Sequence, residues 1–421
     1  MRILRVDSWD GVRGGTQSYI RDVTSALALR GHETRLLNLV SVPEASNDPT
    51  VRFVPVPPVG GRRIPHDLLA APAVEAALAE ELSRFRPDLV HLHHFDTGFA
   101  SIARWVRALR VPVVMTAHDA ELVCPISTLV RPGRIICEGG VEVRCLFTGC
   151  KVGYGGVYNL LQSESFGANV APKIRAYLCP SRPLVEYLDR HGFRPAVRLP
   201  SFAEIPASVR AAPTPEPPST APPTVGYLGR IEPYKGVLDL ADAVGRLRSR
   251  FPDLRLDIAG EGPFRPKLEE HLRALGLTGT TTFRGRVEGA AKERWFAGIH
   301  LLAMPSNAWE NFGLVALEAL ARGRPVVATR VGGIPDIVED SSTGLLVSIS
   351  EPEALARAIG RLLEDPGLRD RLGSEGRRRV LDRFTPERHV AALLAVYEAV
   401  LRGETIPNGV DAESLVRHAT N

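Results

Sequence analysis

Two carboxylates separated by eight positions lie in an otherwise apolar part of the chain. Glu310 precedes a predicted helix, and Glu318 lies inside that helix among leucine, valine and alanine. An ionised carboxylate is costly to bury without partners, so each one needs a cation or a hydrogen-bonding ligand. Two interpretations fit the spacing. Glu318 pairs with Arg322 one helical turn later, or it accepts hydrogen bonds from ligand hydroxyls.

The elements around this pair are those of a parallel sheet covered by helices. The apolar run 299–304 predicts a short buried strand, and 326–329 predicts the next one. Between them, a helix is predicted to begin at Asn311 or Phe312 and to end at Gly323. Strand, loop, helix and strand in this order are typical of doubly wound α/β folds. The amide groups at the start of such a helix are suited to binding an anion.

This stretch resembles the signature of the family 4 retaining glycosyltransferases, which have the α/β GT-B fold. The matching residues are Glu310-x7-Glu318, Phe312-Gly313-Leu314 within it, and the following Gly323-x-Pro325-Val326-Val327. The resemblance implies two Rossmann-like domains that face each other across a cleft. It also implies that Glu310 contacts the donor sugar and that Glu318 contacts the ribose of its nucleotide. The donor side would further include Asn311, Phe312, Gly313 and Leu314.

Arg230 and Lys235 follow the predicted strand that opens the second half of the chain. Lysine is rare here, with five in 421 residues, and a cation near a helix N-terminus opposes the helix dipole. Lys235 therefore indicates an anion to neutralise, although two solvated surface cations are the alternative. Resemblance to the family implies a clamp for the donor diphosphate. It places Gly262 and Arg284, in later turns, at the nucleotide pocket.

In the first half, His118 and Asp119 come directly after the predicted strand 111–116. The carboxyl end of a parallel sheet is where ligands bind, so His118 is a candidate for the active site. In the family, a histidine here faces the donor sugar. The family also places the glycine loop before the first helix near the donor phosphates and the acceptor. We accordingly expect Gly15 on the donor side, and Gly14 and Asp119 on the acceptor side.

Two other features of the first half have ordinary structural interpretations. His91 and His93 alternate with leucine in the predicted strand 87–94, and we expect hydrogen-bonded core residues. The basic helix predicted over 102–110 carries Trp105 and favours a solvated face. Peripheral contact with a membrane is the alternative.

An irregular insert over 120–155 contains four cysteines, Cys124, Cys137, Cys145 and Cys150. Their spacing is looser than the paired ligands of most structural zinc sites. A long loop without its own core favours a stabilising metal, so structural zinc or iron is one hypothesis. Reduced thiols and disulfides are the alternatives.

Composition excludes several classes of protein. The net charge of +4 arises from 52 basic and 48 acidic residues, which gives no indication of a nucleic-acid partner. No apolar run reaches the roughly 18 residues of a membrane span. The N-terminus lacks a signal-peptide pattern, so a cytoplasmic protein is expected.

The predicted organisation has two domains and a linker. It comprises an N-terminal acceptor domain over 1–205, an extended proline-rich linker over 206–223, a nucleotide-sugar domain over 224–383, a helix over 384–402 that crosses back to the first domain, and a loose polar tail over 403–421.

The resemblance implies transfer of a hexosyl or N-acetylhexosaminyl group from a nucleotide diphosphate, with a UDP-sugar favoured over GDP-mannose. The acceptor would be a hydroxyl in glycan, glycoconjugate or natural-product biosynthesis. Arg230, Lys235 and helix amides would stabilise the leaving diphosphate, so no cofactor is expected for catalysis. The alternatives are a nucleotide-sugar epimerase on the same scaffold and a non-catalytic sugar-binding relative.

Overall fold

The computed structural model forms two compact units, Met1–Ser201 with Pro386–Asn421, and Phe202–Thr385. The residues that the structure describes are 1–8, 15–40, 50–56, 71–94, 99–124, 129–131, 135–137, 140, 145, 154–203, 205–211 and 222–416.

The described residues in the N-terminal part of the first unit form nine strands and five α-helices. The strands are β1 (Arg2–Asp7), β2 (Glu33–Val40), β3 (Val51–Pro55), β4 (Leu89–Leu92), β5 (Val113–Thr116), β6 (Val130–Arg131), β7 (Ile135–Ile136), β8 (Ile174–Cys179) and β9 (Ala196–Arg198). The helices are α1 (Gly15–Ala28), α2 (Pro72–Phe85), α3 (Phe99–Ala108), α4 (Tyr154–Asn169) and α5 (Arg182–Arg190).

Seven of these strands form one parallel sheet in the order β3-β2-β1-β4-β5-β8-β9, and β6 and β7 form a small antiparallel pair. The central strands are apolar along most of their length because helices cover both faces of a parallel sheet. The strand order reverses between β1 and β4. Ligands of doubly wound sheets bind at the carboxyl ends of the strands beside such a reversal.

The described residues of the second unit repeat this plan with six strands and eight α-helices. The strands are β10 (Thr224–Leu228), β11 (Arg255–Ala259), β12 (Thr281–Gly285), β13 (Leu301–Met304), β14 (Val326–Thr329) and β15 (Gly344–Val347). The helices are α6 (Ala207–Ala211), α7 (Val237–Leu247), α8 (Arg265–Ala274), α9 (Gly289–Gly298), α10 (Leu314–Ala321), α11 (Ile334–Ile337), α12 (Pro352–Glu364) and α13 (Pro366–Arg383). The sheet is parallel, and its order β12-β11-β10-β13-β14-β15 reverses between β10 and β13.

The chain returns to the first unit through α14 (Pro386–Leu401) and α15 (Ala412–Val416). Helix α14 packs against α1 and β8. The prediction of a loose tail is wrong for 403–416. The N–H of Arg198 donates to Val410 O, and that of Gly409 donates to Ala196 O, both at 2.8 Å, so the tail is bonded along β9.

Two local predictions also need correction. The linker is not extended over 207–211, because these residues form α6, where Arg377 donates to Val209 O at 2.6 Å; 212–221 lie outside the described residues. Trp105 is buried, so it does not present an aromatic ring to a membrane surface. None of the helices in the described ranges has the length and apolarity needed to cross a bilayer.

Candidate active site

Polar side chains collect at the strand reversal of each sheet. In the first unit they lie in β1, on α1 or directly after β4 and β5, and β1, β4 and β5 are neighbours in the sheet. In the second unit they follow β10 and β13, which are also neighbours, except Lys292 on α9. Because parallel strands end at the same edge, loops far apart in sequence meet there. We call the first group the histidine cluster (Arg5, Asp7, Tyr19, His93, His94, His118) and the second the glutamate–lysine pairs (Lys235 with Glu310, Lys292 with Glu318).

His118 is half-buried within the histidine cluster, just beyond the end of β5. Its ring stacks on His94, with centroids 4.9 Å apart, and meets the ring of Tyr19 edge-on at 5.4 Å. Its Nε2 is 2.8 Å from Nδ1 of His93. The next residue, Asp119, accepts a hydrogen bond from the N–H of Glu121 at 2.7 Å.

His91 and His93 are buried and hydrogen-bonded, as predicted. Nε2 of His91 meets Thr116 Oγ1 at 2.7 Å, and its Nδ1 meets the hydroxyl of Tyr397 on α14 at 2.6 Å. Burial holds the pKa of both histidines well below the ordinary value. The direct contact between His93 and His118 was not predicted.

The pKa of His94 is shifted in the opposite direction from those of His91 and His93. Its Nδ1 and its backbone N–H both lie 3.2 Å from Asp7 Oδ1. Burial lowers the pKa of His94, but the Asp7 bond and the charges of Glu121 and Asp119 outweigh burial and raise it to about 10. His94 is therefore an imidazolium at neutral pH. Burial, and then the charge of His94, holds the pKa of His118 well below its ordinary value.

One group of side chains in the described part of the chain brings three potential metal ligands within 4.8 Å of one another. It consists of His94, Asp119 and Glu121. A metal there would have to displace a proton from His94 and compete with its bond to Asp7, because a histidine ligates a metal through a deprotonated nitrogen. We assign no metal to this group.

In the second unit, Lys235 and Glu310 are in direct contact. Lys235 ends a 3₁₀ turn after β10, and its Nζ donates to Glu310 Oε1 at 2.5 Å. The buried Ser306 donates from its hydroxyl to the same oxygen at 2.5 Å. A Cβ at Gly236 would lie 1.8 Å from Pro305 O, so this glycine allows the two loops to approach. Glu310 is held through one carboxylate oxygen, with its side chain 13% exposed.

Glu318 pairs with a different lysine. Lys292 on α9 places its Nζ 2.7 Å from Glu318 Oε1, and the Glu318 side chain is 18% exposed. The alternative pairing with Arg322 is wrong. Arg322 donates from Nε to Glu293 Oε2 at 2.8 Å, and it reaches only the backbone oxygen of Glu318. The helix that carries Glu318 packs its apolar residues, such as Leu317 and Leu320, into the core of the unit.

The remaining cations predicted for the donor side have protein partners of their own. Arg230, with a side chain 69% exposed, pairs with Glu232 at 2.6 Å. Arg284 donates from Nη2 to Asp257 Oδ2 at 2.8 Å, across β11 and β12. Asp257 also accepts from Trp295 Nε1 at 2.9 Å. The structure therefore brings Lys235 to Glu310, while Arg230 and Arg284 are each paired within their own loop or strand region.

The residues between the two glutamates differ in their environment. Helix α10 begins at Leu314, later than predicted, with Gly313 at its N-cap. The first intrahelical bond runs from Ala316 N to Gly313 O, so Leu314 and Val315 supply the leading N–H groups. Phe312 is buried in the apolar core of the unit, against Phe384. The amide oxygen of Asn311 accepts from Trp309 Nε1 at 2.8 Å.

Three further glycines, Gly262, Gly15 and Gly14, were predicted for the site. A Cβ at Gly262 would lie 2.2 Å from Ile231 O, so this glycine packs the turn after β11 against the loop after β10. Gly15 is the first residue of α1. Gly14 lies outside the described residues.

The four-cysteine site also falls partly outside the described residues, because Cys150 does. Cys124 is buried, Cys137 and Cys145 are half-buried, and these three form no disulfide with one another. The group of three potential ligands described above contains no cysteine. A structural zinc or iron in this insert stays a prediction.

Sequence reasoning missed Lys292, Ser306, Arg5 and His93 as partners of the site residues. The rarity of lysine was one available signal, because Lys235 and Lys292 are two of the five lysines in the chain. No signal indicated Arg5 or Ser306. Arg5 is one of three charged residues in β1, and its partner His93 is 88 residues away.

Comparison with known proteins decides the family. Residues 13–201 match the model described as Glycosyltransferase Family 4, and 211–379 match that of Glycosyl transferases group 1. The D-inositol 3-phosphate glycosyltransferase of Salinispora arenicola is 32% identical over 423 residues, covering 93% of this chain and 88% of the relative. The chain belongs to glycosyltransferase family 4. Its glycosyltransferase class makes it an enzyme and excludes the non-catalytic alternative.

Other relatives of this family 4 glycosyltransferase span most of the chain. The D-inositol 3-phosphate glycosyltransferase of Salinispora tropica is 30% identical, with 94% of this chain and 83% of the relative covered. Glycogen synthase of Mycobacterium tuberculosis is 28% identical, with 97% of each chain covered.

Solved structures confirm the predicted GT-B fold with two Rossmann-like domains. Sucrose-phosphate synthase from Thermosynechococcus elongatus superposes with a TM-score of 0.72 at 22% identity, covering 96% of this chain and 100% of that one. HepE from Anabaena, solved with UDP and glucose, gives a TM-score of 0.69 at 20% identity, covering 95% and 100%.

Proposed function

We propose that this enzyme transfers a sugar from a UDP-sugar to an acceptor hydroxyl with retention of the anomeric configuration. The observation that carries the proposal is the arrangement of the glutamate–lysine pairs. Glu310 follows β13 at the strand reversal and Glu318 lies on the adjoining helix, each held by a lysine through one carboxylate oxygen. Two half-buried carboxylates presented in this way suit the hydroxyls of a sugar and a ribose.

The leaving diphosphate needs positive charge and hydrogen-bond donors. Lys235 and Arg230 follow β10, and the N–H groups of Leu314 and Val315 lie at the start of α10. Cations and helix N-termini stabilise developing negative charge on phosphate, so this set would supply the electrostatic stabilisation. Catalysis would then require no metal. In this proposal Lys235 serves the diphosphate and the Glu310 carboxylate together, since it lies 2.5 Å from the latter.

The remaining roles follow from position. Glu310 would hold and orient the transferring sugar, Glu318 would hold the ribose, and His118 would contact the sugar. Retention is proposed from the Glu310-x7-Glu318 motif, which resembles that of the retaining family members, and His118 is given no role as a general base. The leaving-group oxygen would then accept the proton of the acceptor hydroxyl as the new glycosidic bond forms.

Uracil as the base of the donor is supported by HepE, which was solved with UDP and with UDP-glucose. The names of the relatives suggest acceptors to test, namely D-inositol 3-phosphate and a growing glucan. The relatives described above are transferases or synthases, and none of them supports the epimerase alternative.

The test has two stages. First, thermal shifts of the full chain are compared for UDP, GDP, ADP and TDP, and UDP should stabilise most. Ligand at a hundredfold over its Kd adds about 2.7 kcal/mol to the free energy of unfolding. Second, UDP-sugars are incubated with each candidate acceptor, and the anomeric configuration of the product is read by NMR. Preference for another nucleotide contradicts the donor assignment, and an inverted product contradicts retention. Conversion of the nucleotide-sugar to its epimer without an acceptor would favour the epimerase.

Metal independence is tested separately. Activity should persist in EDTA, because the protein supplies the positive charge. Activity that is abolished by EDTA and restored by Mg²⁺ or Mn²⁺ would contradict the proposed clamp. Elemental analysis of the purified protein tests the cysteine insert, where zinc or iron below about a tenth of an equivalent removes the metal hypothesis.

A further inference from the structure

His118 is connected to the rest of the protein by hydrogen bonds as well as by ring contacts. A continuous line of hydrogen bonds runs from α1 through Arg5 and His93 to its ring. Nη1 of Arg5 donates to Ile20 O at 2.6 Å and to Thr24 Oγ1 at 2.5 Å. Nε and Nη2 of Arg5 both point at Nε2 of His93, at 3.1 and 2.9 Å. Arg5 and His93 are fully buried.

The direction of this line is set by arginine chemistry. A guanidinium has N–H donors and no acceptor, so Nε2 of His93 must offer its lone pair to Arg5. The proton of neutral His93 is then on Nδ1. That N–H faces Nε2 of His118 at 2.8 Å, which must accept in turn. The neutral His118 ring consequently carries its own proton on Nδ1.

We infer that Arg5 and His93 are positioning residues that hold His118 in the tautomer protonated on Nδ1. In this tautomer Nε2 of His118 is occupied as an acceptor within the protein, and Nδ1 is a hydrogen-bond donor. His118 would donate a hydrogen bond to a sugar oxygen and would not remove a proton from the acceptor. This assignment deepens the proposed function, because it gives the chemistry of His118 in the same transfer.

The other groups around the cluster are compatible with this direction. The titratable and charged groups packed on His118 or on its ring neighbours are Asp7, Tyr19, His91, His94, Asp119, Glu121, His389 and Tyr397. The His94 imidazolium stacks on the face of His118, 4.9 Å between centroids, so it does not compete for the Nε2 lone pair. A second N–H on Nε2 of His118 would oppose the Nδ1–H of His93.

Two substitutions of His93 distinguish a role in setting the tautomer of His118 from a role in packing alone. In His93→Asn, the side-chain amide occupies the place of Nδ1 and retains a donor toward His118. In His93→Gln, the amide occupies the place of Nε2. Its oxygen accepts from Arg5, and His118 is left without a hydrogen-bond donor. We expect turnover to stay within about threefold in His93→Asn and to fall by about tenfold to a hundredfold in His93→Gln, with the donor KM unchanged in both. An equal fall in both variants would overturn the inference.

A measurement on the unaltered chain decides the tautomer without any activity. The full-length protein is labelled with ¹⁵N-histidine, and long-range proton–nitrogen spectra report which ring nitrogen of each histidine is protonated. The His118 signals are identified by their loss in His118→Asn. Protonation on Nδ1 supports the inference and protonation on Nε2 overturns it, even where a His93 variant fails to fold. If UDP-sugar turnover is absent while Nδ1 is protonated, the proposed function fails and the tautomer assignment stands.

Discussion

The two units have the same plan and place their polar side chains by different means. Each is a parallel sheet whose strand order reverses once, and each gathers candidate site residues beyond that reversal. In the first unit these residues are mainly buried imidazoles held by hydrogen bonds. In the second unit they are half-buried carboxylates held by lysines.

The difference follows from the charge that each group must carry. A buried imidazole can lose its proton, and burial keeps His91, His93 and His118 neutral. A carboxylate intended to bind hydroxyls has to remain ionised, so it needs a cation within contact distance. The neutral histidines are therefore tuned by desolvation and hydrogen-bond direction, whereas the glutamates, like His94 with Asp7, are tuned by pairing. The carboxyl edge of a parallel sheet at its strand reversal supports both kinds of side-chain group.

The strongest test of the second unit is Glu310→Gln. The amide keeps the size and much of the hydrogen bonding of Glu310 but removes its charge, which the flattening sugar ring requires most at the transition state. Turnover should fall by roughly one to three orders of magnitude, with the Kd of UDP nearly unchanged. Steady-state kinetics and calorimetry measure the two quantities. Glu353→Gln, in the exposed pair with Arg246, is the matched control and should have no effect. Weaker UDP binding with intact turnover would show that the role is misassigned.

The corresponding test of the first unit is His118→Ala. Because its proposed contact is with the transferring sugar, turnover should fall by about tenfold to a hundredfold while UDP affinity is retained. His271→Ala serves as a control, since His271 pairs with Asp242 at a partly exposed position of the second unit. An equal loss of UDP binding in His118→Ala would make His118 a structural residue, and the two units would then differ in function as well as in chemistry.

Glu318→Ala distinguishes the two carboxylates from each other. The ribose hardly moves during transfer, so its contact contributes equally to the ground state and the transition state. The donor KM should rise by about tenfold with little change in turnover. The kinetics are compared with those of Glu353→Ala. A fall in turnover without a change in KM would place Glu318 on the reacting sugar instead.

The smallest expected effect concerns stability in acid. Nδ1 of His389 on α14 donates to Pro200 O, and its Nε2 lies 2.9 Å from the Tyr19 hydroxyl. Burial lowers the pKa of His389 to about 4. Between pH 6.5 and 4 the unfolded chain binds this proton and the folded one does not, so stability falls as the pH drops through that window. His91, His93 and His118 share this direction. His94, with its pKa raised to about 10, has the opposite sign and loses its contribution only above pH 6.5.

Urea titrations at pH 7 and pH 5.5 measure this loss. In His389→Gln, which retains hydrogen-bonding groups but does not titrate, the loss of unfolding free energy between the two pH values should be smaller by about 1 kcal/mol. An identical loss in both proteins would mean that His389 is not neutral in the folded state.

Local sequence pattern was sufficient for several elements of both sheets. Short apolar runs predicted strands such as β5, β13 and β14, and the break after β5 placed His118 at the carboxyl end of a strand. The errors lie where tertiary contacts override local composition. Proline and alanine over 206–223 favoured an extended linker, but 207–211 form a helix whose carbonyls bind Arg377. The described part of the polar tail, 403–416, is held in place because backbone groups of Gly409 and Val410 bond to β9.

The sequence by itself determined the two-unit α/β plan, the family, and the candidate residues Glu310, Glu318, Lys235 and His118, since each depends on residues near one another in the chain. Tertiary structure decided which side chains hold them. Lys292 reaches Glu318 from 26 positions away, and Arg5 reaches His93 from 88. Tyr19 and His389 are 370 positions apart. Such pairs depend on strand order and helix packing. None of the three leaves a periodic pattern in the local sequence, because a side chain meets its partner only after segments that are distant in the chain have become neighbours in the fold.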